Sequence, residues 1–244
     1  MQFLILSFAI ALTPAQAQES LEFANRYPVK NASQKIVDNQ GDGQEDLYGN
    51  RNLRAVLNGI YYRGGANNRY HRTNRRNNMN PLPNDGLQNL CEEGFSKAIY
   101  LYEANYETAP KITNCKNFQN EETKITYDQV SVLRYELADL RRIHAEIFNH
   151  IRSPRLGPIL AHCWNGWHAS GYVAATALRQ FCGFAPEQAV KYWDAHTDGN
   201  NTATGYEAIR RRIRAFEPDP KMQISTEEQK KICPQPDTFL FSSR

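Results

Sequence analysis

Residues 162–171 read His162-Cys163-Trp164-Asn165-Gly166-Trp167-His168-Ala169-Ser170-Gly171, set after the apolar run Pro158-Ile159-Leu160-Ala161 and before an alanine-rich segment. That order predicts a strand, a tight turn and a helix. Consecutive backbone N–H groups at a helix N-terminus can surround an anion without help from side chains. Gly166 and Gly171 suit such a turn, because glycine accepts positive φ and lets the backbone approach a ligand. Cys163, at the start of the turn, would feel those N–H groups and the positive end of the helix dipole, which favour the nucleophilic thiolate. A cysteine that follows a buried strand also serves as a small core hydrophobe.

The spacing from Cys163 to Ser170-Gly171, with Gly166 between, resembles the active-site loop of the cysteine-based protein phosphatases, tyrosine and dual-specificity. Residues 52–65, NLRAVLNGIYYRGG, are similar to the N-terminal strand pair of bacterial dual-specificity-type phosphatases, and residues 82–102, LPNDGLQNLCEEGFSKAIYLY, to their following helix and strand. The resemblance spans roughly residues 50–218. It implies an α/β fold with a central, mainly parallel sheet flanked by helices on both faces, and a strand–loop–helix anion cradle. It further implies Cys163 as covalent nucleophile, Ser170 as the hydroxyl that assists the departing thiolate, and His162 in the place of the histidine before the cysteine. Trp164, Asn165, Gly166, Trp167, His168, Ala169 and Gly171 would line the anion. A phosphorylated or other anionic substrate is the implied partner, with no metal and no cofactor.

One position departs from the family pattern. Ala169 stands where the family carries an arginine, whose planar fork grips two phosphate oxygens. Loss of one preorganised donor of that kind typically costs about a hundred- to a thousandfold in rate. Three substitutes can be read from the sequence: an imidazolium from His168, an arginine from the basic segment Arg69–Arg76, or a substrate other than a phosphate dianion, for which Trp164 and Trp167 would form an aromatic rim. The family's general acid precedes the cysteine on a loop, but no Trp-Pro-Asp occurs here. Glu136 is the assigned candidate, with Asp139 and Asp128 nearby. Asp194 and His196 are second-rank candidates for lining the pocket, and Asp198-Gly199 beside them reads as turn chemistry. Three functions follow: a phosphatase-like hydrolase, a pseudophosphatase that binds an anion without turning it over, or a scaffold in which the loop binds nothing anionic and serves packing alone.

The elements that must position this loop can be read from periodicity. Leu137, Leu140, His144, Ile147 and Ile151 recur at helical spacing, and Gly157-Pro158 then interrupts. Val173, Ala174, Ala175, Ala177, Leu178 and Phe181 leave almost no polar face, which predicts a buried helix ended by Gly183. Pro186 can open the next helix. A last helix places Tyr206, Ile209, Ile213 and Phe216 on one side and Arg210, Arg211, Arg212 and Arg214 on the other, a solvated face. Strands are expected near 60–63, 97–102, 125–133 and 159–162, with ligands gathering at their carboxyl ends.

The chain opens with an apolar stretch, Phe3–Leu12, followed by Ala15-Gln16-Ala17, the small-x-small pattern of signal-peptidase cleavage. This predicts a signal peptide over 1–17, export to the periplasm or exterior, an N-terminal extension over 18–50, the α/β domain over 51–218 and a tail over 219–244. No later segment is apolar enough to span a membrane. A formal charge of +3 in 244 residues does not indicate a nucleic-acid binder. Export permits disulfides, and the five cysteines cannot all pair internally. The four cysteines other than Cys163 allow three connectivities, among which the sequence does not choose; Cys91 with Cys115 and Cys182 with Cys233 is one arrangement that leaves the candidate nucleophile free. Asp38–Gly43 looks like half a calcium loop, yet position 49 is glycine where such a loop needs a carboxylate, and the segment is read as a turn.

Overall fold

The apolar strand runs of this chain assemble into one six-stranded sheet in the order β1-β2-β6-β3-β5-β4. The strands are β1 (Asn50–Leu57), β2 (Tyr61–Ala66), β3 (Lys97–Tyr100), β4 (Ile112–Lys116), β5 (Glu122–Gln129) and β6 (Ile159–Cys163). Strands β2, β6, β3 and β5 run parallel, and β1 and β4 close the two edges in the antiparallel sense. The computed structural model describes residues 23–27, 31, 33–44, 47–66, 81–132, 134 and 136–234. The expected signal peptide and the basic segment Arg69–Arg76 therefore lie outside the described residues.

The parallel core is buried on both faces, as continuous apolar strands require. On one face α1 (Asn84–Glu92) seats Leu87, Leu90 and Cys91 against Tyr62, Tyr100, Tyr127 and Leu160. On the other lie α2 (Leu137–Arg152), α3 (Ala169–Cys182), α4 (Pro186–Ala195) and α5 (Glu207–Ala215). Helix α3 is the centre of that layer. Leu178 and Phe181 are fully buried on it, each contributing about 1.5–3 kcal/mol of apolar burial. Gly183 ends α3 at φ 67°, its N–H bonding the Leu178 carbonyl. Pro186 opens α4 as expected.

Three features differ from the sequence reading. Strand β4 was not expected, because Ile112-Thr113-Asn114-Cys115-Lys116 exposes alternate residues and carries little apolar signal; a disulfide from Cys115 to Cys91 ties it to α1. Strand β5 ends at Gln129 rather than 133, although the N–H groups of Val130 and Val132 still bond the carbonyls of Tyr100 and Leu101. The tail holds a short helix α6 (Thr226–Ile232), capped reciprocally by Ser225 and Glu228. It is fixed by the Cys182–Cys233 disulfide and by the Asn58 N–H on the Ile232 carbonyl, 2.7 Å. The extension and the tail are thus packed parts of the same body: Ile36, Val37 and Leu47 are buried on the sheet, and Met222 and Ile232 on the helical layer. Asp38 behaves as a turn residue, its carboxylate accepting the N–H groups of Gln40 and Asp42. Among the described residues no helix is long and apolar enough to cross a membrane.

Candidate anion-binding loop

Strand β6 delivers Cys163 to the carboxyl end of the sheet's centre, between β2 and β3. Residues 164–168 turn, and α3 begins at Ala169. Cys163 is 2 % exposed and is the one described cysteine outside a disulfide. Its Sγ lies 3.4 Å from the Ser170 Oγ, so the first turn of α3 brings a hydroxyl back onto the sulfur.

The loop is held by its carbonyls. Arg51 Nε donates to the Trp164 carbonyl at 3.2 Å, and Asn52 Nδ2 to those of Asn165 and Gly166, both at 3.2 Å. Arg63 Nη2 donates to the Gly166 carbonyl and, at 3.4 Å, to that of Trp167. Trp193 Nε1 donates to the His168 carbonyl at 3.2 Å. In a trans peptide the C=O of one residue and the N–H of the next point in opposite directions. The N–H groups of residues 165–169 are therefore turned away from the side chains that anchor the carbonyls. Among the described residues, none accepts a hydrogen bond from the backbone N–H groups of 164–171. A row of such donors at a helix N-terminus is the arrangement that receives an anion.

Backbone geometry makes this approach possible. Gly166 takes φ +72°, and a Cβ there would sit 2.8 Å from the Gly64 carbonyl carbon. A Cβ on Gly65 would sit 2.5 Å from the Trp164 carbonyl oxygen. Loop and β2 thus touch backbone to backbone. Gly171 serves differently from the expectation: it lies within α3, and its missing side chain makes room for Trp193, whose Cδ1 a Cβ would meet at 3.0 Å. In β1 the register shifts between Arg51 and Arg54, and Asn52 sits in the left-handed region at φ 50°. Asparagine tolerates that conformation, and the bulge aims its amide at the loop.

No protein-family model and no curated protein matches this chain.

The remaining predicted residues fall into two groups. His162 is fully buried on the opposite sheet face, stacked on Tyr100 and Tyr127. Burial lowers its pKa to about 4, so the ring is neutral. Nδ1 faces the Cys163 carbonyl at 3.2 Å and must carry the proton; Nε2 then accepts from the Tyr127 hydroxyl at 2.8 Å. Trp167 donates its indole N–H to Asp198 at 2.9 Å, and Trp164 is 38 % exposed at the rim. Ala169 is 5 % exposed and packed with the helical layer.

The others are engaged elsewhere. His168 stacks on Tyr206 with ring centroids 4.2 Å apart, and its Nε2 meets the Asn200 carbonyl. Desolvation, reinforced by the charge of Arg63, lowers its pKa, the opposite of what an imidazolium substitute requires. Asp194 gives its carboxylate to Arg210, with Nη2 at 2.6 Å, and to Asn201. The His196 carbonyl accepts from Arg63 Nη2 at 3.2 Å, while its ring Nδ1 faces the Tyr192 carbonyl; burial, then the charges of Arg54 and Arg63, hold its ring neutral. Glu136 is exposed at the start of α2, and Asp139 lies in that helix's first turn. Asp128 is paired with Lys97 at 3.0 Å and stands two strands away from Cys163, level in register with Ile99 and Ala161.

Sequence reading missed Arg51, Asn52, Arg63, Asp198 and Trp193 as the loop's supports. Asp198 is more than a turn residue: burial would raise its pKa, but bonds from Lys35, Asn39 and Trp167 outweigh it and hold the carboxylate below its ordinary range. One signal was present. Arg63 interrupts Tyr61-Tyr62-Arg63-Gly64-Gly65, a run that otherwise reads as a central strand, and a buried charge demands partners.

Proposed function

We propose that this protein is an exported, cysteine-dependent, dual-specificity-phosphatase-like hydrolase of phosphate monoesters with an atypical loop. The observation that carries the reading is the pairing of Cys163 with Ser170 beneath a row of backbone N–H groups that have no acceptor among the described residues. Both disulfides and the α/β topology are compatible with it.

In this reading the Cys163 thiolate attacks phosphorus, the Sγ–P bond forms and the P–O ester bond breaks. The leaving oxygen carries away the electron pair and takes a proton from water or an acid. Water then attacks phosphorus, the Sγ–P bond breaks, inorganic phosphate departs and the thiolate returns, accepting a hydrogen bond from the Ser170 hydroxyl. Backbone amides stabilise the equatorial oxygens throughout. Glu136 remains the candidate acid. It bonds to no loop residue, which favours aryl esters, whose phenoxide leaves with less assistance than an alkoxide.

A second reading, an anion-binding pseudophosphatase, is favoured by one observation: no described cationic side chain projects from the loop itself, and Ala169 is buried. Hydrolysis of an aryl phosphate by the mature protein, beside Cys163→Ser, separates the two. Turnover abolished by Cys163→Ser supports the hydrolase. Vanadate or tungstate binding without turnover supports the binding module, and the absence of both discards the cradle.

A further inference from the structure

We propose that Arg63 supplies, from strand β2 and through the peptide groups of the loop, the fixed positive charge that Ala169 cannot provide. The inference rests on the reading of the loop as an anion cradle. Arg63 is the register partner of Ala161, and Gly65 of Cys163, so Arg63 and Cys163 stand on adjacent strands two residues apart in register. Side chains two apart on a strand share a face, and diagonal neighbours across strands are within reach of long side chains. Tyr61, Ala161 and Cys163 all face α3, and Arg63 lies on that same face, its Nη1 near the Cβ position of Gly171.

Arg63 is 0 % exposed. Its Nη2 is spent on the carbonyls of Gly166, Trp167 and His196, while Nε and Nη1 have no partner among the described residues. A guanidinium cannot shed its proton to relieve this. The charges around it do not balance it either. Among the described residues, Arg54 reaches the same region from β1, and Lys35 from the N-terminal segment. Asp198 is the carboxylate that answers them, 2.9 Å from Lys35 and 3.7 Å from Arg54. Tyr61, Tyr192 and His196 face the cluster from β2, α4 and the turn after it; burial raises the Tyr61 pKa and lowers that of His196, so neither adds charge at neutral pH.

Among the described residues, Arg63, Arg54 and Lys35 thus set three cationic side chains beside the Asp198 carboxylate, an arrangement that a dianion would neutralise. Each Arg63 bond to a loop carbonyl also polarises that peptide, so the N–H groups of Trp167 and His168 become stronger donors on the other side. Arg63 is thus a positioning residue that acts through the backbone and need not touch the ligand.

The test is tungstate binding by the mature protein, followed by calorimetry at two salt concentrations, for wild type, Arg63→Lys and Arg63→Gln. Arg63→Gln is expected to weaken binding by about tenfold or more and to reduce its salt dependence, with Arg63→Lys recovering most of the loss. Equal affinity in wild type and Arg63→Gln, or equal weakening by Lys and Gln, overturns the proposal. Should Arg63→Gln not fold by circular dichroism, Asp198→Asn decides: removal of the counter-charge should tighten tungstate, and unchanged or weaker binding overturns it. A wild type that binds no tungstate would instead remove the cradle reading itself, a result distinct from binding that ignores Arg63.

Discussion

Arg54 and Arg63 are direct register partners across β1 and β2, so two buried guanidinium groups face the same interior. Burial first, and then the charge of Arg63, push the Arg54 pKa down to about 10, against partial support from Tyr192 and Asp198. An anion seated in the loop should relieve this repulsion. Tungstate at about a hundred times its dissociation constant is expected to stabilise the fold by about 2.7 kcal/mol, read as a rise in melting temperature that sodium chloride at equal ionic strength does not reproduce.

Asn52 combines a left-handed backbone with two bonds to loop carbonyls. Asn52→Gly keeps the backbone and loses the bonds, at about 1–2 kcal/mol; Asn52→Leu loses both and should cost about 1–2 kcal/mol more. Urea denaturation of the pair measures the difference. Equal destabilisation would show that the bulge carries no conformational demand.

Gly65→Ala places a methyl group against the Trp164 carbonyl, where the obstacle is backbone rather than a movable side chain. The loop must lift from β2. A loss of about 1–3 kcal/mol, accompanied by a changed tryptophan emission from Trp164 and Trp167, is the expected result.

Acid should unfold this protein through its buried histidines. His144 and His162 are fully buried, and desolvation lowers their pKa values to about 3 and about 4. Both lie below the unfolded value of about 6.5, so the unfolded chain binds more protons as pH falls. Their stability contribution is complete above pH 6.5 and is lost on the way down through the folded values. Unfolding free energy should be flat above about pH 7 and fall by roughly 2 kcal/mol per histidine by pH 5; a flat profile across that range would refute the burial of neutral rings.

Cys182 and Cys233 close a span of 51 residues and hold α6 against the buried end of α3. Replacing both by serine should cost about 2–4 kcal/mol by chain entropy. Differential scanning calorimetry checks it, and an unchanged melting temperature would mean that α6 docks without the bridge.

Much of the fold was legible because local signals agreed with tertiary need. The run Ile159–Ala161, the turn at Gly166 and the apolar faces of α3 encode the strand–loop–helix unit by periodicity and glycine placement alone. Strand β4 escaped notice because a disulfide and backbone pairing hold it where an apolar face normally would. The candidate site divided in the same way. Cys163 and Ser170 sit within one short segment, so their spacing announced them. Arg51, Asn52 and Arg63 act across more than a hundred residues of chain, and only strand register brings them together. Nor could spacing reveal that His168 would turn to Tyr206 or that Asp194 would be taken by Arg210.

The two bridges have an effect beyond rigidity. Four thiols that could otherwise capture Cys163 during oxidation are consumed by each other, and the sulfur that remains is nearly sealed from large oxidants and partner proteins. In an oxidising compartment, the survival of a reduced cysteine depends on having no neighbour left to react with, and in this fold every other cysteine is already paired.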